Sequence, residues 1–213
     1  MIDYSLYLVT DRHLSQGRST VDVVRAAVRG GVTCVQLREK QCSTRAFLEE
    51  AWAVRRLLDE LAVRIPLIVN DRIDIALAIG ADGVHLGQTD MPIGDARRLA
   101  GSLLTIGISA ESVADAIRAE AEGADYIGVS PVFATPTKND TAPPLGLAGL
   151  RAIRAAVSLP LVGIGGIKAV NAAEIIQAGA DGVAVVSAIV SAPCPERAAA
   201  DLKQRIASVQ TKD

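Results

Sequence analysis

The chain has 213 residues, half of them hydrophobic, with only 3% aromatics and a formal charge of −2. That is enough for one well-buried domain with an aliphatic core. Without a Lys/Arg stripe it excludes a nucleic-acid-binding surface and leaves any anionic ligand to a few placed cations. Three irregularly spaced cysteines, Cys34, Cys42 and Cys194, exclude a disulfide framework and a zinc pattern.

The opening MIDYSLYLVTDR has too short an apolar run for a signal peptide, and no later stretch approaches a membrane span, so a soluble cytoplasmic protein with no membrane partner is expected. Leu6 to Thr10 reads as a strand, and the run from Thr20 to Gly31 as a helix with a glycine C-cap. Thr33 to Arg38 is a second strand, Ser43 to Ala62 a long helix, Leu67 to Asn70 a third strand and Asp71 to Ile79 a short helix. Gly83 to Leu86 and Thr105 to Ser109 are strands around a helix at Gly94 to Ala100. Ser112 to Glu122 is the fifth helix and Tyr126 to Val129 the sixth strand. The pattern continues with a helix at Leu147 to Val157, a strand at Leu161 to Ile164, a helix at Asn171 to Ala178, a strand at Gly182 to Val186 and a closing helix at Glu196 to Val209.

These eight strand–helix units carry an echo. Gly80-Ala81-Asp82, Gly123-Ala124-Asp125 and Gly179-Ala180-Asp181 each precede an even-numbered strand, and Gly30-Gly31-Val32 holds the same place before the second. The spacing is about fifty residues, or two βα units. An α/β chain of this kind closes into a barrel or opens into a doubly wound sheet, and the even repeat favours a single closed (β/α)8 TIM barrel over residues 1–213.

Side chains alternate along a strand, so each strand splits into two faces. His85 and Gly87, then Gly107 and Ser109, then Tyr126, Gly128 and Ser130 form a small and polar set expected to line the interior. The same rule places Leu161, Gly163 and Gly165 inside, with Val162 and Ile164 toward the helices. Recurrent inward glycine indicates a pocket at the C-terminal mouth, where barrel active sites lie. Gln36, Arg38 and Lys40 share the inward face of the second strand as anion ligands, while Glu39 turns away. Asp71 and Asp90, at neighbouring strand ends near these cations, suit a hard cation such as Mg²⁺. GIGGI (163–167) and VVSAI (185–189) fit the phosphate site that such barrels build after their last two strands. No nucleophile–histidine arrangement is apparent, and His85 reads as an interior histidine with satisfied hydrogen bonds.

One stretch breaks the rhythm. Ser130 to Gly146, SPVFATPTKNDTAPPLG, is a long loop holding Thr135, Thr137 and Lys138 between the two expected anion sites, and its length suggests a lid.

Together QLREK (36–40), VND (69–71), GADGVHLGQTD (80–90), GIS (107–109), GADYIGVSPVFATPTK (123–138), GIGGI and VVSAI resemble the thiamine-phosphate synthases over nearly the whole chain. The resemblance implies a Mg²⁺-dependent transferase that joins hydroxymethylpyrimidine diphosphate to hydroxyethylthiazole phosphate, releasing diphosphate by a dissociative route. It places Gln36, Leu37, Arg38, Glu39, Lys40, Asn70, Ser109 and Lys138 on the pyrimidine diphosphate. Thr135, Pro136, Thr137, Gly166, Val186 and Ser187 fall on the thiazole phosphate, and Asp71 and Asp90 on Mg²⁺. Arg38, Lys40, Ser109 and Lys138 carry the chemistry. The partners implied are small phosphorylated substrates, with self-association into a homo-oligomer open. Departures from the family pattern are Ser130 before Pro131, where a glycine is expected, Ala134 before Thr135, where a proline is expected, and Ala110-Glu111 after Ser109, where Thr-His is expected. Two rivals share the barrel: a thiazole tautomerase, which would not need Asp71, Asp90 and the Arg38/Lys40 pair, and a non-catalytic phosphate-ligand sensor.

Overall fold

The computed structural model describes residues 2–135 and 143–210. Among them, eight parallel strands close in chain order: β1 (Leu6–Val9), β2 (Cys34–Leu37), β3 (Leu67–Asn70), β4 (Gly83–Leu86), β5 (Thr105–Ala110), β6 (Tyr126–Val129), β7 (Leu161–Ile164) and β8 (Gly182–Val185). The seam is made by β8 pairing with β1 through Leu6↔Val183 and Leu8↔Val185. The helices are α1 (Thr20–Arg29), α2 (Thr44–Asp59), α3 (Ile73–Ala78), α4 (Ile93–Ala100), α5 (Val113–Ala121), α6 (Gly146–Ala156), α7 (Ala172–Gln177), α8 (Ser187–Val190) and α9 (Pro195–Gln210).

The closed barrel expected from the repeat is present, with two differences in its elements. The short helix expected from Asp71 starts at Ile73, because Asp71 has φ +61°, outside the right-handed helical region. The single turn α8 has no counterpart among the helices expected from the sequence, since four residues carry no periodicity.

The echo before the even strands ties down the N-terminal face. Asp82 Oδ2 accepts the Leu67 N–H at 2.9 Å, Asp125 Oδ2 that of Ile106 at 2.7 Å, and Asp181 Oδ2 that of Leu161 at 2.8 Å. Each carboxylate also meets an arginine from the helix before the bonded strand: Arg55, Arg97 and Arg154 respectively. At the fourth position Thr33 Oγ1 accepts the Leu6 N–H at 3.0 Å. Each aspartate thus satisfies an orphan strand amide and joins two neighbouring units, which is a stability function.

Between strands and helices lies an aliphatic shell that includes Val84, Leu86, Ile106, Ile108, Ile127 and Val129, as alternation predicts. A separate interior cluster holds Tyr4, Tyr7, Val9, Cys34, Ile68, Tyr126, Val162 and Ala184, with Ile164 packed against it. Strand β7 therefore has the reverse orientation to the one expected. Val162 and Ile164 point inward, and a Cβ on Gly163 would stand 2.6 Å from Ile175 Cγ2 of α7. Glycine there lets a helix approach, so the rule that small residues face the interior fails on this strand.

Candidate active site

The C-terminal mouth opens into a cavity of about 580 Å³. Its floor is the end of the interior cluster, and its walls come from strand ends and the loops after them. Inward glycines do not leave this space empty. A Cβ on Gly107 would stand 2.1 Å from Tyr126 Cζ, and one on Gly128 would stand 3.0 Å from His85 Cε1, so the side chains received by these glycines form the floor.

Asp71 and Asp90 meet on one wall. Asp71 N–H donates to His85 O at 2.8 Å, which holds the left-handed turn that swings its carboxylate over the mouth. Lys40 Nζ donates to Asp71 Oδ2. Asp90 Oδ2 accepts the Gly87 N–H at 2.6 Å, folding the loop after β4 back on itself. Burial holds the Asp71 carboxyl above its ordinary value; Lys40 opposes that, and Asp90 adds to it. One lysine thus does not offset the paired carboxylates, and the donor set fits a hard divalent cation completed by phosphate oxygens and water. Among the described residues no group of three or more His, Cys, Asp or Glu gathers to hold a metal, so Asp71 and Asp90 stand there as a pair.

Arg38 and Lys40 both line the cavity, as their shared face predicts. Asp11 Oδ2 holds Arg38 Nη1 at 2.9 Å, and Thr10 Oγ1 accepts the Arg38 N–H at 3.0 Å. Asn70 also lines the cavity, 8% exposed, and its buried Nδ2 donates to none of the described residues. A buried amide without an acceptor is costly in the free protein, and a ligand oxygen in the cavity could satisfy it. Leu37 and Glu39 do not join them. Leu37 is fully buried in the shell under the helices, and Glu39 lies beside Arg12 at 3.5 Å with a side chain 5% exposed.

A chain of hydrogen bonds runs along the floor. Gln36 Nε2 donates to Tyr7 Oη at 3.1 Å, and Tyr7 and Tyr126 hydroxyls are 3.0 Å apart. Tyr126 Oη stands 2.9 Å from His85 Nδ1, and His85 Nε2 3.0 Å from Ser109 Oγ. His85 is thus an interior histidine with bonded ring nitrogens, and it also lines the cavity. Thr135, Gly166, Val186 and Ser187 line the opposite wall, together with Lys168. Gly165 and Gly166 have φ +105° and +64° and accept the close passage of Pro131 and Phe133. Pro136, Thr137 and Lys138 lie outside the described residues, as does the part of the expected lid from 136 to 142.

Sequence reasoning missed Tyr7 and Lys168 as cavity residues, and read Tyr126 and His85 only as interior. Lys168 directly follows GIGGI and was legible there. Tyr7 was not, because its partners are distant in sequence.

A family model described as thiamine monophosphate synthase matches residues 6–189. The thiamine-phosphate synthase of Chloroflexus aurantiacus is 54% identical over 212 residues, covering 100% of this chain and 97% of its own. That of Albidiferax ferrireducens is 57% identical over 204 residues, covering 96% and 92%. The solved thiamine phosphate pyrophosphorylase from Pyrococcus furiosus superposes with a TM-score of 0.89 at 41% identity, covering 97% of both chains.

Proposed function

The chain belongs to the thiamine monophosphate synthase family and is a transferase, and on that premise we propose that it joins hydroxymethylpyrimidine diphosphate to hydroxyethylthiazole phosphate. The observation that carries the reading is the Lys40–Asp71–Asp90 corner beside Arg38 and the acceptor-less Asn70 amide. A diphosphate is the group such a corner suits, through cations, a buried donor and carboxylates able to hold its counter-ion. Asp71 and Asp90 would hold Mg²⁺, which when bound supplies positive charge to the leaving diphosphate.

The protein's own groups account for the rest. Arg38 and Lys40 orient the diphosphate and take up charge as the C–O bond to the methylene carbon breaks, and Lys138 has the same role. The electron-rich aminopyrimidine ring carries the resulting cation. The thiazole nitrogen then forms the new C–N bond, leaving diphosphate as the second product with no general base required. Ser109 and Gln36, on the floor, address the pyrimidine. Thr135, Pro136, Thr137, Gly166, Val186 and Ser187 hold the thiazole phosphate, and its nitrogen faces the reacting carbon. A lid from the loop after β6 would exclude water from the cation.

Positional isotope exchange tests the route. With labelled oxygen in the C–O–P bridge and a non-nucleophilic thiazole phosphate analogue, label should scramble into the non-bridging positions. Retention of all label in the bridge under turnover-competent conditions would reject a dissociative step.

A further inference from the structure

The floor network has a direction, and its direction sets a proton. Burial pushes both Tyr7 and Tyr126 well above the ordinary phenol value, so each keeps its hydroxyl proton at neutral pH. Each phenol therefore has one proton to donate. Tyr7 Oη already accepts from Gln36 Nε2 at 3.1 Å. Its own proton has two neighbours, the Tyr126 oxygen at 3.0 Å and the sulfur of buried Cys34. Sulfur is the weak acceptor of the two. Donation to Tyr126 then leaves the Tyr126 proton for His85 Nδ1, 2.9 Å away.

We propose that Tyr7 and Tyr126 are positioning residues that hold His85 in its Nε2–H tautomer and thereby fix the direction in which Ser109 donates. With Nδ1 accepting, Nε2 carries the proton and gives it to Ser109 Oγ at 3.0 Å. Among the described residues the Ser109 hydroxyl meets His85 and no other hydrogen-bonding group, and Ser109 lines the cavity. Its own proton is then presented to the ligand. The site would select an acceptor atom of the pyrimidine diphosphate at that point, not a donor. Reversing the chain would turn Tyr7 toward Cys34 and make Ser109 Oγ donate back to the imidazole, which removes the donor from the pocket.

Packing supports a fixed arrangement over a rotating one. Tyr126 is fully buried and its ring centroid is 4.6 Å from that of Tyr4 and 5.4 Å from the imidazole. Gly107 gives it no lateral freedom, since the ring occupies the position of the missing side chain. The Tyr7–Tyr126 bond joins residues 119 apart, across the barrel interior. Nothing in this chain requires a proton to move during turnover; it orients one donor before the substrate arrives.

The functional part of this inference rests on the synthase reading, and the tautomer does not. The chain has two histidines, and the other, His13, has an exposed side chain. In ¹⁵N-histidine-labelled His13→Gln protein, the remaining imidazole is read directly by NMR without touching the network. The expected spectrum shows Nδ1 as the unprotonated nitrogen and Nε2 as the protonated one. The opposite tautomer, or an imidazole protonated on both nitrogens at neutral pH, overturns the proposal. Tyr126→Phe then serves as the second arm. It should convert the single tautomer into a mixture and raise KM for pyrimidine diphosphate by about tenfold, the equivalent of one misaligned hydrogen bond, with KM for thiazole phosphate unchanged. Equal increases in both KM values would reject positioning in favour of a general structural role. A protein with the Nε2–H tautomer and no synthase turnover would sink the synthase reading and leave the locked tautomer standing.

Discussion

Tyr126 fills the space that a side chain on Gly107 would occupy, with its Cζ 2.1 Å from where that Cβ would lie. The residues are register partners on adjacent strands, β5 and β6, so the tyrosine folds back over its own neighbour. Gly107→Ala should therefore destabilise the barrel by about 1–3 kcal/mol, the usual cost of overpacking a filled core. Urea unfolding measures it, and a variant of wild-type stability would show that the ring has other places to go.

Asn70→Ala should separate stability from binding. In the free protein the substitution removes a buried donor that has no described acceptor, so it costs less than an ordinary core truncation. Affinity for pyrimidine diphosphate should fall about 10–100-fold, the worth of a hydrogen bond to a charged oxygen. Calorimetric titration checks this, and unchanged affinity would remove Asn70 from the site.

Asp82 should make stability depend on pH at the acid end. Burial alone would raise its carboxyl; the Leu67 N–H, Arg64 and Arg55 outweigh that and hold it below the ordinary 3.8. A folded value below the unfolded one stabilises the protein above about pH 4, and that contribution is lost as pH falls through the folded value. Asp82→Asn should cost about 2 kcal/mol at neutral pH, with the gap to wild type narrowing below pH 4. Parallel unfolding curves across pH 3 to 7 would contradict the assignment.

Asp90→Ala should abolish most turnover, with excess Mg²⁺ restoring only part of it. Asp90 also closes the loop onto Gly87, so Asp90→Asn is the control. If the loop alone mattered, the amide would retain activity and metal dependence.

Much of this was legible one strand at a time. Alternation placed Arg38 and Ser109 on inward faces at one mouth, the resemblance added Asn70, and the Gly-Ala-Asp echo counted the units correctly although its structural reason lies in the strand amides it satisfies. What alternation lacks is a way to decide which face of a strand is inside when both faces are apolar or glycine. Strand β7 shows that limit, since Gly163 serves the packing of Ile175 and not the cavity. Contacts between distant residues escape local pattern altogether. Tyr7 and Tyr126 meet only because the barrel closes, and Asp11 reaches Arg38 only because β1 and β2 are neighbours.

The most direct test of the account is to combine the purified protein with hydroxymethylpyrimidine diphosphate, hydroxyethylthiazole phosphate and Mg²⁺ and to measure both products. The prediction is thiamine phosphate and diphosphate in equal amounts, with neither formed when either heterocycle is withheld. Diphosphate release no faster than without protein, with both ligands bound, would contradict it.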